Sequence, residues 1–241
     1  AAWAARADLA TRLREADTEP DFWHARWEQG QIGFHLAHVN PRLIAHASAL
    51  PQGRGSRVLV PLCGKSVDMA WLAARGHHVV GVELSELAVQ AFLQEQGLTP
   101  EVEREGTFVC YRTPSIELWC GDMLSVGHAQ LGRLDGYYDG AALVALPEAM
   151  RADYVKQLGR LLPSGARGLM LTFDYPQAEM SGPPFSVSDQ AARALYAPQF
   201  ELSQLASYDA LADEPRFRAS GVSSLVRLAA SSIASGKPSS R

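Results

Sequence analysis

The stretch between Arg57 and Gly97 alternates twice between a short apolar run and a helical segment that ends at a glycine. The apolar runs are Arg57–Leu62 and His78–Val82, and the helical segments end at Gly76 and Gly97. Glycine is common just past helix C-termini because it readily adopts left-handed backbone conformations. Consecutive strands joined by helices pack in parallel, so this alternation predicts a mainly parallel sheet covered on both faces.

The rest of the chain continues the pattern, with apolar runs that predict strands and spacings of three and four that predict helices. The predicted elements are a helix opened by Asn40-Pro41, strands at Ile116–Trp119, Leu134–Tyr138 and Gly168–Phe173, a helix at Pro147–Leu162, and a late antiparallel pair at Glu201–Tyr208 and Ser224–Leu228. The sequence therefore predicts one doubly wound α/β domain over residues 1–230. A disordered, serine-rich tail is expected over residues 231–241.

Charge and apolar content argue against two classes of partner. Lys and Arg number 22 against 26 Asp and Glu, which gives a net charge of −4, and no dense basic run favours nucleic acid. No stretch reaches the ~18 consecutive apolar residues of a membrane span, and residues 1–13 lack the apolar core of a secretory signal.

Cys63, Cys110 and Cys120 lack zinc-site spacing, and His35 and His38 have no third ligand. We expect a cytoplasmic monomer that binds no metal and acts on small molecules.

The turn after the first strand, which contains Leu62, Cys63 and Gly64, lies where doubly wound folds bind nucleotides. A P-loop would need glycine at Leu59, and the dinucleotide fingerprint would need glycines at Leu62 and Val67. The single Gly64 still lets backbone approach a small polar group. The expected ligand therefore lacks a pyrophosphate. Cys63 has no recognisable base beside it, so a nucleophilic role is not predicted.

Two acids follow the next strands. Glu83 ends the second strand, where an acid accepts hydrogen bonds from both ribose hydroxyls; the alternative is a solvated residue capping the helix near Ser85. Asp122 follows the third strand and could accept from an adenine amino group with Met123 against the ring, or could belong to an ordinary turn. A ribose acid without a pyrophosphate loop suits S-adenosyl-L-methionine better than NAD.

Five segments together resemble the thiopurine S-methyltransferase family over about Phe22 to Leu228. They are Trp23-x3-Trp27-x2-Gly30-x2-Gly33-Phe34-His35, Val60–Ser66, Gly81–Glu86, Ala141–Pro147 and Gly182–Phe185. The resemblance implies a Rossmann-like, class I methyltransferase fold with a mainly parallel, seven-stranded sheet and an N-terminal helical cover over about residues 1–50. It also implies S-adenosyl-L-methionine as cofactor, S-adenosyl-L-homocysteine as product and the sulfur of an aromatic or heterocyclic thiol as acceptor, thiopurines included.

The resemblance assigns site residues to two groups. The expected cofactor-binding residues are Trp23, Leu62, Cys63, Gly64, Glu83, Asp122, Met123 and Gly140, and the expected substrate-binding residues are Phe34, Pro183, Pro184, Phe185 and Arg216. Trp23 could instead form a core pair with Trp27, and Arg216 could form a surface ion pair with a nearby acid. The family has arginine where this chain has Gly140. Gly140→Arg is expected to raise activity on thiopurine-like acceptors if the glycine only weakens binding, and to give no gain if substrate choice has changed.

The implied chemistry needs little from the protein beyond orientation, because a methyl sulfonium is already activated and aromatic thiols ionise readily. We therefore predict no catalytic triad and no other catalytic side chain. Selenium or tellurium species, halide and thiocyanate stay open as alternative acceptors. An NAD-dependent oxidoreductase and a non-catalytic nucleoside-binding module are more remote alternatives.

Overall fold

The computed structural model describes residues 20–31 and 35–235. The helices of this part are α1 (Pro20–Glu28), α2 (Pro41–His46), α3 (Asp68–Ala74), α4 (Glu86–Glu95), α5 (His128–Leu131), α6 (Ala142–Ala145), α7 (Glu148–Leu161), α8 (Asp189–Tyr196) and α9 (Pro215–Ala219). The strands are β1 (Arg57–Pro61), β2 (His78–Glu83), β3 (Glu101–Glu105), β4 (Phe108–Arg112), β5 (Ile116–Cys120), β6 (Gly136–Asp139), β7 (Arg167–Asp174), β8 (Phe200–Asp209) and β9 (Val226–Ala234).

The described strands form one sheet in the order β3-β4-β5-β2-β1-β6-β7-β9-β8. The five central strands, β5 to β7 in this order, pair in parallel, as the alternating pattern predicted. The outer strands pair antiparallel on both sides, and the predicted late pair is β8 with β9. The doubly wound α/β prediction is confirmed.

The prediction of seven strands is wrong, because the sheet of the described residues has nine. One strand that sequence reasoning missed is β3, whose Glu101–Glu105 sequence is fully exposed and carries a single apolar side chain. It is held at the sheet edge by backbone pairing with β4. An apolar pattern is the main sequence signal for a strand, so a strand without a buried face gives almost none.

The predicted tail starts too early. Strand β9 continues through Ser231–Ala234, lies between β7 and β8, and pairs with both. Ser232 is 2% exposed and its hydroxyl lies 2.7 Å from the Tyr137 hydroxyl. Pairing on both sides outweighs the polar composition that suggested disorder. Residues 236–241 lie outside the described residues.

Two large apolar clusters pack against the sheet, and a third, smaller cluster joins one of them through Phe173. The third cluster consists of Tyr175, Ala210, Phe217, Val222 and Leu225. Its residues come from the segment after β7 and from the connection between β8 and β9. None of the described helices has the length and apolarity to cross a membrane.

Candidate active site

The carboxyl ends of β1, β2, β5 and β6 border one cavity of about 440 Å³. The chain winds outward in opposite directions from β1 and β6, so the cavity lies at the switch point of the sheet. Its volume falls in the range of about 300–1,000 Å³ that is typical of small-molecule sites. The fold therefore places a ligand cavity where the sequence predicted one.

The turn after β1 is tight and its backbone faces the cavity. Leu62 and Gly64 both have left-handed φ angles, of 46° and 52°. A Cβ atom on Gly64 would lie 3.3 Å from the Trp27 ring, so glycine relieves both the strain and the crowding. Cys63 also lines the cavity, and burial raises the pKa of its thiol well above the ordinary value. A thiol held neutral in this way agrees with the prediction that Cys63 is not a nucleophile.

Glu83 is 7% exposed and its carboxylate lines the cavity at the end of β2. One oxygen accepts from the Gly64 N–H and the other from the Ser85 N–H, each at 2.8 Å. Burial raises the pKa of this carboxyl, while these N–H donors act in the opposite direction. The alternative of a solvated capping residue is wrong. Each oxygen has a further lone pair, so the carboxylate can accept from a ligand diol.

Asp122 and Met123 line the same cavity from the end of β5. The Asp122 carboxylate accepts from the Leu124 N–H at 2.9 Å and from the Ser125 hydroxyl at 2.7 Å, which is an Asx-type turn. The ordinary-turn alternative therefore describes its local contacts. Met123 is 5% exposed and adds an apolar surface to the wall. A role for the pair in binding adenine stays a prediction.

Gly140 follows β6 and lines the cavity. A Cβ atom at this position would lie 2.8 Å from the Tyr138 hydroxyl oxygen and 2.9 Å from its Cζ atom. Tyr138 is 1% exposed and its hydroxyl is bound to Asp68, so a shift of the ring would disturb this hydrogen bond. A side chain at position 140 therefore requires the Tyr138 ring to shift.

Pro183, Pro184 and Arg216 line the opposite part of the cavity. The exposed Arg216 donates from Nη2 to the Pro183 carbonyl oxygen at 2.9 Å. Within the described ranges Arg216 makes no salt bridge, because the nearby Glu214 pairs instead with Arg227 at 3.2 Å. The surface ion pair is therefore wrong, and Arg216 ties two loops of the wall together.

Two predicted substrate residues are placed differently. Phe185 is described and 7% exposed, yet it does not line the cavity; its N–H donates to the Val144 carbonyl at 2.6 Å. The apolar wall therefore consists of the prolines in front of it, because Phe185 is packed into the protein. Phe34 lies outside the described residues.

Helix α1 brings Trp23, Arg26 and Trp27 to the cavity wall. Residues of α1 thus border the cavity, while the cover over about residues 1–50 stays a prediction, with residues 1–19 outside the described part of the chain. Sequence reasoning missed Asp68 and Tyr138, which also line the cavity and are buried. Their positions follow from contacts between distant elements, which no local motif reports.

The residues present fit a nucleoside cofactor, since a buried carboxylate faces the cavity and Met123 and Trp23 supply apolar surface. Among the described residues, no group of three or more His, Cys, Asp or Glu converges as a metal site would require. Fold and site together define a class I S-adenosyl-L-methionine-dependent methyltransferase of the α/β type. The chain belongs to the thiopurine S-methyltransferase family, whose family model matches residues 18–230. It is an S-methyltransferase and its cofactor is S-adenosyl-L-methionine.

Curated relatives match over nearly their full length. A thiopurine S-methyltransferase of Pseudomonas entomophila is 49% identical over 211 residues, which is 88% of this chain and 97% of that protein. One of Shewanella piezotolerans is 49% identical over 210 residues, covering 86% and 95%. A didemethyltoxoflavin methyltransferase of Burkholderia thailandensis, solved with S-adenosylhomocysteine bound, has a TM-score of 0.61 at 17% identity and covers 91% of this chain and 89% of its own. This last likeness concerns the fold alone.

Proposed function

We propose that the protein transfers the methyl group of S-adenosyl-L-methionine to the sulfur of a small aromatic or heterocyclic thiol, thiopurines included. The observation that carries this proposal is a single cavity with two unlike ends. One end holds the buried Glu83 carboxylate, and the other holds Pro183 and Pro184 beside the Arg216 side chain. The relatives named thiopurine S-methyltransferase support the same acceptor class.

When bound, the cofactor supplies a methyl group that its sulfonium has already activated. The protein then has to bind, orient and exclude water. Glu83 holds the ribose end, and Pro183 and Pro184 supply an apolar wall against a flat ring. Arg26 and Arg216 add positive charge to the cavity, which favours the thiolate form of the acceptor over the thiol. Orientation of two reactants in this way contributes about 7–11 kcal/mol in favourable cases.

The proposal includes a monomeric, cytoplasmic enzyme with a small-molecule thiol as its partner and no nucleic acid. The net charge of −4 and the lack of a basic run support the choice of a partner other than nucleic acid.

Methyl transfer from radiolabelled S-adenosyl-L-methionine is the direct test. We expect thiopurines and thiophenols to be methylated because a flat, ionisable thiol suits an apolar wall with nearby cations. Selenite, tellurite, thiocyanate and halide are assayed in parallel, with protein-free reactions as controls. Preference for one of these inorganic acceptors over every aromatic thiol would refute the proposed acceptor class.

Arg216→Gln is expected to raise KM for the thiol by about 2- to 10-fold, the equivalent of one hydrogen bond. Its guanidinium holds the Pro183 carbonyl and lines the acceptor end, so binding of S-adenosylhomocysteine should not change. Arg218→Gln is the matched control because Arg218 is exposed, lies two residues away and does not line the cavity. Steady-state kinetics and calorimetry separate the two effects. Equal KM values for the two variants would contradict this role.

A further inference from the structure

Asp68 is a buried carboxylate on the cavity wall. It is 6% exposed and lies at the start of α3. One oxygen accepts from the Asn40 N–H and the other from the Tyr138 hydroxyl, both at 2.8 Å. Asn40 and Tyr138 are themselves buried and line the same cavity, so Asp68 joins α3, β6 and the segment that precedes α2.

No described Lys or Arg pairs with Asp68. The buried Glu117 provides the contrast, because Arg57, His78 and Arg112 all contact its carboxylate within 3.5 Å. An ionised carboxylate that is buried without a cation is costly. Burial accordingly raises the pKa of Asp68, although hydrogen bonds from Asn40, Tyr138 and Ser66 and the nearby His38 oppose the change. The cavity wall therefore contains a buried carboxylate that no described Lys or Arg side chain pairs with.

Other buried acids differ from Asp68 in ways that matter. Asp139 is fully buried, does not line the cavity, and accepts from the Ala142 and Leu143 N–H groups and from the Tyr154 hydroxyl. Its oxygens are thus used within the protein. Glu83 does line the cavity but lies at the end of β2, where the ribose is expected. Asp68 is left to meet a cationic group of a ligand.

The sheet allows an estimate of the separation between Glu83 and the strand that carries Tyr138, the hydrogen-bond partner of Asp68. Tyr138 belongs to β6 and Glu83 to β2, and β1 lies between these strands. Two strand spacings amount to about 10 Å. In the cofactor, the chain from the ribose ring through C5′ and sulfur to the amino nitrogen spans about 7–9 Å when extended. The remaining distance is within the reach of the two carboxylate side chains.

We propose that Asp68 is the acceptor for the ammonium group of the cofactor's amino-acid moiety. This inference rests on the assignment of the cavity to S-adenosyl-L-methionine and adds a binding residue to it. The ammonium would pair with a carboxylate that no described Lys or Arg reaches, and a carboxylate has about four lone-pair sites, of which Asn40 and Tyr138 use two. In the competing account, Asp68 only ties Asn40 and Tyr138 together and contacts no ligand.

Two ligands separate these accounts in calorimetric titrations. S-adenosylhomocysteine carries the amino-acid moiety, whereas 5′-methylthioadenosine has the same adenine, ribose and thioether sulfur without it. We expect Asp68→Asn to weaken S-adenosylhomocysteine binding by about 10- to 100-fold, as the loss of a charged hydrogen bond implies, and to leave 5′-methylthioadenosine unchanged. Asp122→Asn is the matched control from the other end of the cavity and should affect both ligands equally.

The outcomes are distinguishable. Wild-type protein that binds neither ligand refutes the cofactor assignment and, with it, this inference. Wild-type protein that binds both, with an Asp68→Asn variant that weakens both equally or neither, overturns the inference alone and leaves the cofactor assignment standing. If circular dichroism shows that Asp68→Asn does not fold, the test compares the affinities of the wild-type protein for S-adenosylhomocysteine and for its analogue without the amino group. Equal affinity for these two excludes an ammonium acceptor, and weaker binding of the analogue supports one.

Discussion

Glu83→Gln is expected to weaken the binding of S-adenosylhomocysteine by about 10²- to 10⁴-fold. A carboxylate that accepts from both ribose hydroxyls makes two charge-assisted hydrogen bonds of about 1.5–3 kcal/mol each, and every 1.4 kcal/mol is about a factor of ten. The amide keeps the size of the side chain but offers only one acceptor oxygen. In the wild type each carboxylate oxygen already accepts one N–H, from Gly64 or from Ser85. The variant therefore loses ligand contacts and also leaves a donor without a partner.

Isothermal titration measures this loss, and thermal unfolding shows whether the variant is folded. Glu86→Gln is the matched control because it removes an exposed carboxylate three residues away that does not line the cavity. Its affinity should equal that of the wild type. A folded Glu83→Gln protein with wild-type affinity would refute the assignment of Glu83 to the ribose.

Gly140→Arg is expected to destabilise the fold by about 2.5–6 kcal/mol. The new Cβ atom would meet the Tyr138 ring, and overpacking of this kind costs about 1–3 kcal/mol. Movement of Tyr138 would also break its 2.8 Å hydrogen bond to Asp68, which adds about 1.5–3 kcal/mol because the acceptor is charged. The gain in activity that simple restoration of the family arginine would bring is therefore not expected.

Chemical denaturation and cofactor titration of the Gly140→Arg protein check this result. Gly127→Ala serves as control, because its Cβ atom would lie at an ordinary 3.5 Å from the nearest described atom and its φ of −128° suits any residue. A loss of at most about 1 kcal/mol is expected there, since Gly127 precedes a helix. Wild-type stability together with higher thiopurine activity for Gly140→Arg would show that Tyr138 moves at little cost.

The site residues that could be predicted from sequence lie within segments that are close together in the chain. Glu83, Gly64 and the turn after β1 belong to one strand–helix–strand unit, in which each apolar run is followed closely by the residues that face the ligand. The position of a residue at a strand's carboxyl end then fixes its place at the cavity. The same logic located Asp122 on the next strand of the sheet.

The rest depended on contacts between distant segments. Asp68 lies 28 residues from Asn40 and 70 from Tyr138, so no spacing rule connects them. Phe185 belongs to a motif of the family resemblance, yet its orientation depends on how its loop packs against Val144. The exposed strand β3, with one apolar side chain, gave almost no apolar signal. Sequence patterns record what a segment buries locally, and these features are set by partners elsewhere in the chain.

The small third cluster packs against the loops that form the acceptor end of the cavity. Tyr175 and Phe217 pack ring against ring within it, the Tyr175 hydroxyl donates to the Pro184 carbonyl at 2.6 Å, and Phe217 follows Arg216 directly. The Glu83 end rests instead on the strands of the main sheet. The acceptor end rests mainly on this cluster, which joins the main core through Phe173, so mutations that change the choice of thiol can accumulate there while the methyl-donor pocket is inherited unaltered.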